Sequence, residues 1–226
     1  MKLFLDTANL DEIRQANEWG VLRGVTTNPT LAGKEGTGFL PLEKEICSIV
    51  DGPVSIETVG NDKDLLIKQG HEIADFADNA VVKIACTPQG LGATSALAKE
   101  NIKVNMTLVF SSSQAILAAE AGAYIVSPFL GRLDDIATDS LKVLAEICEI
   151  YQAQDYATEV LAASIRHPVH VTEAARVGAD IATMPFKVFE SLVKHPLTDR
   201  GIERFNSDWE KARPDMGELF PSMQEA

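Results

Sequence analysis

Residues 80–85, Ala80-Val81-Val82-Lys83-Ile84-Ala85, form a short apolar run in which hydrophobic and polar positions do not alternate. A strand that is covered on both faces of a parallel sheet has this composition. Similar short runs recur at intervals of roughly 20–35 residues, so the sequence predicts eight strands. The predicted strands are Lys2–Asp6, Leu22–Thr26, Val54–Val59, Ala80–Cys86, Ile102–Met106, Ala123–Pro128, Glu159–Ser164 and Asp180–Pro185.

Between most of these runs the hydrophobic residues recur with the period of a helix. Strands that alternate with helices form a parallel sheet with right-handed crossovers. No Gly-x-Gly-x-x-Gly motif follows the first strand, so the pattern favours a closed (β/α)8 TIM barrel over an open doubly wound sheet. The predicted helices are Asp11–Trp19, Asp64–Phe76, Ser111–Ala121 and Ser140–Tyr151, with another helix start at Thr172 and helix ends or interruptions at Gly70, Gly122 and Gly178.

The end of the chain predicts one more helix. Thr198-Asp199 can cap a helix that runs to about Ala212, and Ile202, Phe205 and Trp209 are spaced along one of its faces. We therefore expect a single barrel domain over residues 1–226, with 198–213 as a C-terminal helix. Its aromatic side chains pack either on the chain's own barrel or on a neighbouring subunit.

The composition limits the classes of partner. Of 226 residues, 46 % are hydrophobic and 23 % are charged, which excludes a mainly disordered chain. The formal net charge of −13 repels phosphate backbones and anionic lipid headgroups, so we expect no nucleic-acid and no membrane partner. No apolar run reaches the roughly 18 residues of a membrane helix. An anionic substrate must therefore be bound by a few local cations.

The cysteines and histidines do not predict a disulfide framework or a metal site. Cys47, Cys86 and Cys148 are far apart and odd in number, which is typical of a protein in a reducing cytoplasm. His167 and His170 lie three residues apart, but no cysteine or carboxylate completes a ligand set.

Nearly every predicted strand ends in a polar residue, and parallel barrels carry their active sites at the carboxyl ends of the strands. Lys83 is the sharpest of these signals because it stands inside an apolar strand. A buried ammonium group loses several kcal/mol of hydration unless it is paired or gives up its proton. A neutral amine is a nucleophile for a carbonyl carbon. Lys83 is therefore either a catalytic amine or a structural cation paired with a carboxylate such as Asp6 or Glu57.

Further charged residues suit chemistry at the same face. Asp6 and Glu57 supply two carboxylates for proton transfer, unless they only neutralise Lys83 or bind a backbone group. Arg132 and Arg166 follow the sixth and seventh strands, close to where this fold commonly binds phosphate. A solvated surface salt bridge is the alternative for both arginines.

Seven ordered blocks of sequence, spread over nearly the full length of the chain, resemble the transaldolase and fructose-6-phosphate aldolase-like family, in particular its short-chain transaldolases. The blocks are Phe4-Leu5-Asp6-Thr7-Ala8-Asn9, Gly24-Val25-Thr26-Thr27-Asn28-Pro29, Val81-Val82-Lys83-Ile84, Asn105-Met106-Thr107-Leu108-Val109-Phe110, Ser127-Pro128-Phe129-Leu130-Gly131-Arg132-Leu133-Asp134-Asp135, Ala162-Ala163-Ser164-Ile165-Arg166 and Pro185-Phe186-Lys187.

The resemblance implies that Lys83 forms a Schiff base with the C2 ketone of a sugar phosphate. Asp6 would remove the proton of the C4 hydroxyl, and Glu57 with Thr107 would orient a water that moves protons during dehydration of the carbinolamine. No metal and no organic cofactor is implied. The implied substrate-binding residues are Asn28, Asn105 and Ser127 for the dihydroxyacetone unit, Arg132, Ser164 and Arg166 for the phosphate, and Thr26 and Phe129 as further contacts.

Two positions bear on which reaction of the family dominates. Glu57 is the acid of the transaldolases where the aldolase subgroup has Gln, and Phe129 stands where that subgroup has Tyr. The resemblance therefore favours transfer of dihydroxyacetone in the pentose phosphate pathway over its release by a fructose-6-phosphate aldolase. A non-catalytic phosphosugar-binding barrel, with Lys83 as an ion-pair partner only, is the alternative of another class.

One segment departs from the family pattern. The family usually has proline two residues after the lysine, whereas this chain has Ala85 followed by Cys86. Alanine frees φ and restores a backbone N–H, so we expect an altered rate or stability and retained chemistry. The short members of the family are usually decamers, which implies a homo-oligomer here.

Overall fold

The described residues, 1–36 and 38–213 of this computed structural model, form eight short strands that pair in parallel and in chain order. The last strand pairs with the first, so the sheet closes into a barrel and confirms the predicted (β/α)8 architecture. The strands are β1 (Lys2–Asp6), β2 (Leu22–Thr26), β3 (Val54–Glu57), β4 (Ala80–Ala85), β5 (Val104–Val109), β6 (Ile125–Pro128), β7 (Glu159–Ala162) and β8 (Ile181–Met184).

Helices lie between successive strands, and several of them pack directly on the sheet. The helices are α1 (Leu10–Glu18), α2 (Pro29–Ala32), α3 (Phe39–Ile49), α4 (Lys63–Ala74), α5 (Pro88–Lys99), α6 (Ser112–Glu120), α7 (Leu130–Asp134), α8 (Ser140–Gln154), α9 (Pro168–Arg176), α10 (Phe186–Ser191) and α11 (Pro196–Ala212). Within the described residues, no helix is both long and apolar enough to cross a membrane.

The chain divides into two compact units. The first unit, Met1–Phe189, contains the barrel and the helices up to α9. The second unit, Glu190–Ala226, contains α11 in its described part. Helix α11 carries Leu197, Ile202 and Phe205 as exposed hydrophobic residues.

The apolar strands place their side chains on both sides of the sheet. In β4, Val82 and Ile84 are fully buried, and Ile84 lies against Gly90 of α5. Because neighbouring residues of a strand point to opposite faces, Lys83 points into the barrel. A fully buried cluster that includes Phe4 and Leu161 fills part of the core. This packing fixes the strand ends on which the polar residues stand.

Three predicted helix boundaries are wrong. Thr172 is not a helix start, because α9 begins four residues earlier at Pro168, where the His167 side chain caps the helix. Gly70 does not interrupt α4; it is buried there, since the side chain of Leu97 leaves no room for a Cβ atom. The last helix begins at Pro196, and His195 caps it in place of Thr198-Asp199.

Candidate active site

Lys83 is buried, with 4 % of its surface exposed, and its amine is held by two oxygen atoms. Nζ donates to the carbonyl oxygen of Thr27 at 2.9 Å and lies 3.0 Å from Oε2 of Glu57. Glu57 stands opposite Lys83 in the register of β3 and β4, so two adjacent strands fix the pair. The carboxylate partner of Lys83 is therefore Glu57, one of the two candidates, Asp6 and Glu57, that the sequence predicts.

Two hydroxyl groups orient Asp6, the last residue of β1. The Thr26 hydroxyl donates to Oδ1 of Asp6 at 2.8 Å and lies 2.7 Å from the Thr183 hydroxyl. Because Thr26 has one proton and gives it to Asp6, Thr183 donates to Thr26. This chain of hydrogen bonds fixes the direction of the Asp6 carboxylate.

Asn105 is fixed by hydrogen bonds on both sides of its amide. Its Nδ2 donates to Oγ of Ser55 at 3.0 Å, and Oγ of Ser127 donates to its Oδ1 at 2.6 Å. Asn105 pairs with Lys83 in the β4–β5 register, and Thr107 lies two residues further on the same face of β5. Oγ1 of Thr107 is buried and has no hydrogen-bond partner among the described residues, so its hydrogen-bonding capacity is available to another molecule.

A cavity opens where these strands end. Its inner part has a volume of about 110 Å³ and its outer part about 440 Å³, and both parts contact Asn28, Lys83, Phe129 and Arg132. The outer volume falls in the range of roughly 300–1,000 Å³ that is usual for ligand pockets. The inner part is also lined by Asp6, Thr26, Ser127, Leu161, Ala163, Ser164 and Thr183, and the outer part by Pro29, Thr30, Leu31, Glu57 and Leu108.

Arg132 is held at this cavity by an aromatic side chain. Its guanidinium group lies over the Phe129 ring, 5.2 Å from the centroid. Phe129 in turn packs edge to face against Phe110, with centroids 5.7 Å apart. Stacking on a ring orients a guanidinium group and leaves its N–H donors free for an anion.

The chain turns sharply at Ser164, directly after β7. Ser164 has a φ of 57°, in the left-handed region that residues other than glycine seldom adopt. Its carbonyl oxygen accepts a hydrogen bond from the backbone N–H of Gly131 at 3.0 Å. The turn therefore docks the start of α7, which carries Arg132, on the end of β7.

Arg166 lies outside the cavity lining. Its Nη2 donates to Oδ2 of Asp135 at 2.8 Å, and its side chain is 52 % exposed. Its backbone N–H donates to Nδ1 of His170 at 3.4 Å, and Nε2 of His170 lies 3.0 Å from Oδ2 of Asp134. Since Nδ1 accepts, Nε2 carries the proton and donates to Asp134. Burial, together with the neighbouring His167, lowers the pKa of His170, which favours this neutral form.

The structure brings together most of the residues that the sequence predicts for the site. Asp6, Thr26, Asn28, Lys83, Glu57, Ser127, Phe129, Arg132 and Ser164 line the cavity, while Asn105 and Thr107 are buried in β5, and Asn105 accepts a hydrogen bond from Ser127 of the lining. Arg166 is the exception, since it forms the surface salt bridge that was its alternative. Ser55 and Thr183 orient site residues and were missed. The signal was present, because each is a polar residue inside an apolar strand, as Lys83 is.

The sequence matches known proteins over almost its whole length. Residues 3–216 match the family described as Transaldolase/Fructose-6-phosphate aldolase. The chain is 57 % identical to a probable transaldolase of Aquifex aeolicus (strain VF5) over 211 residues, which cover 93 % of this chain and 97 % of that protein. It is 56 % identical to a probable transaldolase of Hydrogenobaculum sp. (strain Y04AAS1), with the same coverage of both chains.

Among solved structures, the fold is similar to that of a thiamine phosphate pyrophosphorylase from Pyrococcus furiosus, with a TM-score of 0.55. The similarity covers 84 % of this chain and 93 % of that one. The sequence identity is 18 %, so this likeness concerns the barrel fold alone.

Proposed function

The chain belongs to the transaldolase/fructose-6-phosphate aldolase family, and we propose that it is a transaldolase that carries a dihydroxyacetone unit on Lys83. The reaction converts sedoheptulose 7-phosphate and glyceraldehyde 3-phosphate to erythrose 4-phosphate and fructose 6-phosphate, in the pentose phosphate pathway of the cytoplasm. The observation that carries the proposal is the buried Lys83 amine, which reaches the same cavity as Asp6 and Arg132.

The covalent step starts with the neutral Lys83 amine. Glu57 lies 3.0 Å from Nζ, within reach to take the proton of the ammonium group. The amine attacks the C2 ketone of the donor sugar and forms a carbinolamine. Glu57 and Thr107 orient a water that carries protons to and from the carbinolamine, and loss of the C2 hydroxyl group as water then gives an iminium ion.

The iminium ion allows the carbon chain to break. Asp6 removes the proton of the C4 hydroxyl, the C3–C4 bond breaks, and its electron pair neutralises the iminium nitrogen. An aldose leaves, and an enamine of dihydroxyacetone stays on Lys83. The enamine attacks the aldehyde of the acceptor sugar, and the steps then run in reverse to release the new ketose. Asp6 is suited to both directions because the Thr26 hydroxyl holds its carboxylate in one orientation.

The polar residues of the cavity divide between the two ends of the substrate. Asn28, Asn105 and Ser127 bind the dihydroxyacetone unit, and the bond between Ser127 and Asn105 fixes both side chains relative to each other. Arg132 and Arg166, with Ser164, bind the phosphate. Arg132 is oriented by Phe129, whereas Arg166 must exchange Asp135 for the phosphate.

Borohydride reduction in the presence of fructose 6-phosphate tests the covalent step. We expect a reduced three-carbon or six-carbon adduct on the peptide that contains Lys83, located by mass spectrometry. Lys83→Arg keeps a cation beside Glu57 but removes the nucleophile, so it should give no adduct. Lys99→Arg makes the same change at an exposed position of α5 and should be labelled normally. A wild type that binds the sugar without being labelled would instead be a non-catalytic phosphosugar-binding barrel.

An assay with and without an acceptor aldehyde separates a transaldolase from a fructose-6-phosphate aldolase. Glu57 and Phe129 support transfer, because an enamine that is kept from protonation survives until an aldehyde arrives. We expect transfer to erythrose 4-phosphate to be much faster than release of free dihydroxyacetone. Release as fast as transfer would assign the aldolase reaction.

A further inference from the structure

A second carboxyl group lies close to Lys83, and the reaction described above does not use it. Glu43 of α3 is fully buried, with 0 % of its surface exposed. Its Oε1 lies 2.8 Å from the Thr27 hydroxyl, and its Oε2 has no hydrogen-bond partner among the described residues. A buried carboxylate with an unpartnered oxygen is costly, and such a group favours its protonated form.

Thr27 connects Glu43 with Lys83. The carbonyl oxygen of Thr27 accepts the hydrogen bond of the Lys83 amine at 2.9 Å, while its side chain contacts Glu43. The Thr27 hydroxyl also lies 3.1 Å from the carbonyl oxygen of Ser55. It has one proton, which serves one of these two acceptors at a time.

The two protonation states of Glu43 therefore give two arrangements of the Thr27 hydroxyl. When Glu43 is ionised, the hydroxyl donates to its carboxylate. When Glu43 is protonated, it can itself donate to Thr27, and the hydroxyl is then free to donate to Ser55. The ionised state also places a negative charge near the ammonium group of Lys83, and a nearby opposite charge favours the charged form.

Among the charged groups on the elements that pack around Glu43, Lys83 is the cation whose charge influences the Glu43 carboxyl group. Helix α3 packs against α1 and β3. From α1, Arg14 pairs with Glu45 on the exposed side of α3, and from β3, Glu57 pairs with Lys83. On α3 itself, burial and then the charge of Glu43 raise the pKa of the Cys47 thiol. Burial raises the pKa of Glu43 to about 7, and the Thr27 hydrogen bond and the charge of Lys83 act in the opposite direction.

We propose that Glu43 is a positioning residue for Lys83, and that its protonated state, coupled through Thr27, favours the neutral amine that attacks the sugar. This inference rests on the proposed Schiff-base reaction. Ionised Glu43 instead stabilises the ammonium form and slows the attack. Glu43 acts through Thr27, and it is not among the residues that line the cavity.

The test is the pH dependence of Schiff-base formation in Glu43→Gln, which is permanently neutral and keeps a polar group beside Thr27. Enzyme and fructose 6-phosphate are mixed for short times between pH 6 and pH 9, quenched into borohydride at one fixed pH, and measured by intact mass. Glu45→Gln makes the same change on the exposed face of the same helix and serves as the control.

We expect the wild-type and Glu45→Gln rates to show an inflection near pH 7, where Glu43 ionises. In Glu43→Gln the inflection should be absent, and the rate above pH 7 should exceed that of the wild type. A merely structural role would lower the rate equally at every pH. A profile that coincides with that of the wild type overturns the inference while the Schiff base stands. A wild type without any adduct overturns the proposed function as well.

A second measurement tests the coupling without the Glu43→Gln variant, so it remains possible if that variant does not fold. Coupling between two sites is reciprocal, so removing the Lys83 charge must raise the pKa of Glu43 further. Infrared spectroscopy of Glu57→Gln, and of Glu57→Gln combined with Lys83→Met, follows the protonated carboxyl band that persists above pH 6, where exposed carboxyl groups are already ionised. Because Glu57 is absent from both proteins, an upward shift on removal of the Lys83 charge supports the coupling, and an unchanged titration overturns it.

Discussion

At the level of single residues, the pair of Lys83 and Glu57 explains how the barrel keeps a lysine in an apolar strand. A buried charge without a partner destabilises a fold by several kcal/mol, and Glu57 at 3.0 Å supplies the partner. The same carboxylate is placed to receive a proton from the amine. The sequence offers two alternative roles for Lys83, a structural cation and a catalytic amine. The observed geometry is therefore compatible with both roles.

Substitution of Arg166 tests whether a residue outside the cavity lining contributes to phosphate binding. We expect Arg166→Ala to raise KM for phosphorylated acceptors about tenfold to hundredfold, the value of one charge-assisted hydrogen bond. Unphosphorylated acceptors should be nearly unaffected, because they offer no anion to the guanidinium group. Steady-state kinetics with both kinds of acceptor measure this. The control is Arg176→Ala, an exposed arginine of α9 that pairs with Glu173. Equal losses with both acceptors would remove Arg166 from the phosphate site.

Glu43 also makes the stability of the fold depend on pH. Its pKa is about 7 in the folded chain against an ordinary value of 4.5, so the unfolded chain loses its proton first as the pH rises. The wild type therefore loses stability between these two pH values, and the loss is complete above pH 7. Relative to the wild type, Glu43→Gln should gain on the order of 3 kcal/mol between pH 4.5 and pH 8.

Urea unfolding at several pH values measures this gain. Glu45→Gln, on the exposed side of α3, should follow the wild type throughout. A difference between Glu43→Gln and the wild type that stays constant with pH would mean that Glu43 does not titrate in this range.

The sequence could predict the residues that carry reactive groups but not the residues that orient them. Lys83 is visible because a charge inside an apolar run is unusual, and its own strand accounts for its burial. Glu43 gives no such signal, since a glutamate in a helix is ordinary and its burial depends on how α3 packs against α1 and β3. The choice of Glu57 over Asp6 as the partner of Lys83 likewise depends on the register of β3 and β4.

At the level of elements, α7 determines where the phosphate-binding residues stand. This short helix carries Arg132, and its backbone docks on β7 through the bond from Gly131 to Ser164. The two segments approach each other closely at this point, because a Cβ atom at position 131 would lie 2.5 Å from the Ser164 oxygen and would also clash with Nε of Arg166. His170 of α9 holds the same region through Asp134.

Gly131→Ala should therefore push α7 away from the end of β7. Because the obstructing oxygen belongs to the backbone, we expect a loss of about 1–3 kcal/mol in stability and a raised KM for phosphorylated substrates. Thermal unfolding and kinetics measure the two effects. Gly92→Ala is the control, since its Cβ would meet only the flexible Lys63 side chain, at 3.3 Å. A Gly131→Ala enzyme with normal KM would show that α7 is not needed for phosphate binding.

The positions of the elements were more predictable than their ends. Strand β5 runs over Val104–Val109 and extends beyond the predicted Met106, because a left-handed residue, Leu108, lets the strand continue through an irregular register. Helix α9 begins at Pro168, since His167 supplies a side-chain cap that the usual capping residues did not reveal. Such ends depend on local hydrogen bonds, whereas hydrophobic periodicity reports only the middle of an element.

At the level of the whole molecule, the acidic surface and the site have opposite charges. The net charge is −13, yet the open end of the barrel presents Lys83 and Arg132 to the cavity. Because a phosphorylated sugar is repelled by most of the surface, binding must depend on these local cations. The number of strand-like runs predicted the closed barrel correctly, since eight parallel strands with intervening helices close on themselves.

The resemblance to the short-chain transaldolases implies that the chain assembles into a homo-oligomer. Helix α11 supplies a candidate contact, because Phe205 is 71 % exposed and Ile202 is 54 % exposed. A second copy of the chain would cover these side chains, and burying one phenylalanine contributes about 2 kcal/mol. We expect Phe205→Ala to shift the protein toward smaller species in sedimentation velocity experiments. Glu203→Ala, an exposed change in the same helix, should sediment as the wild type does. If all three proteins sediment alike, α11 does not hold the assembly together.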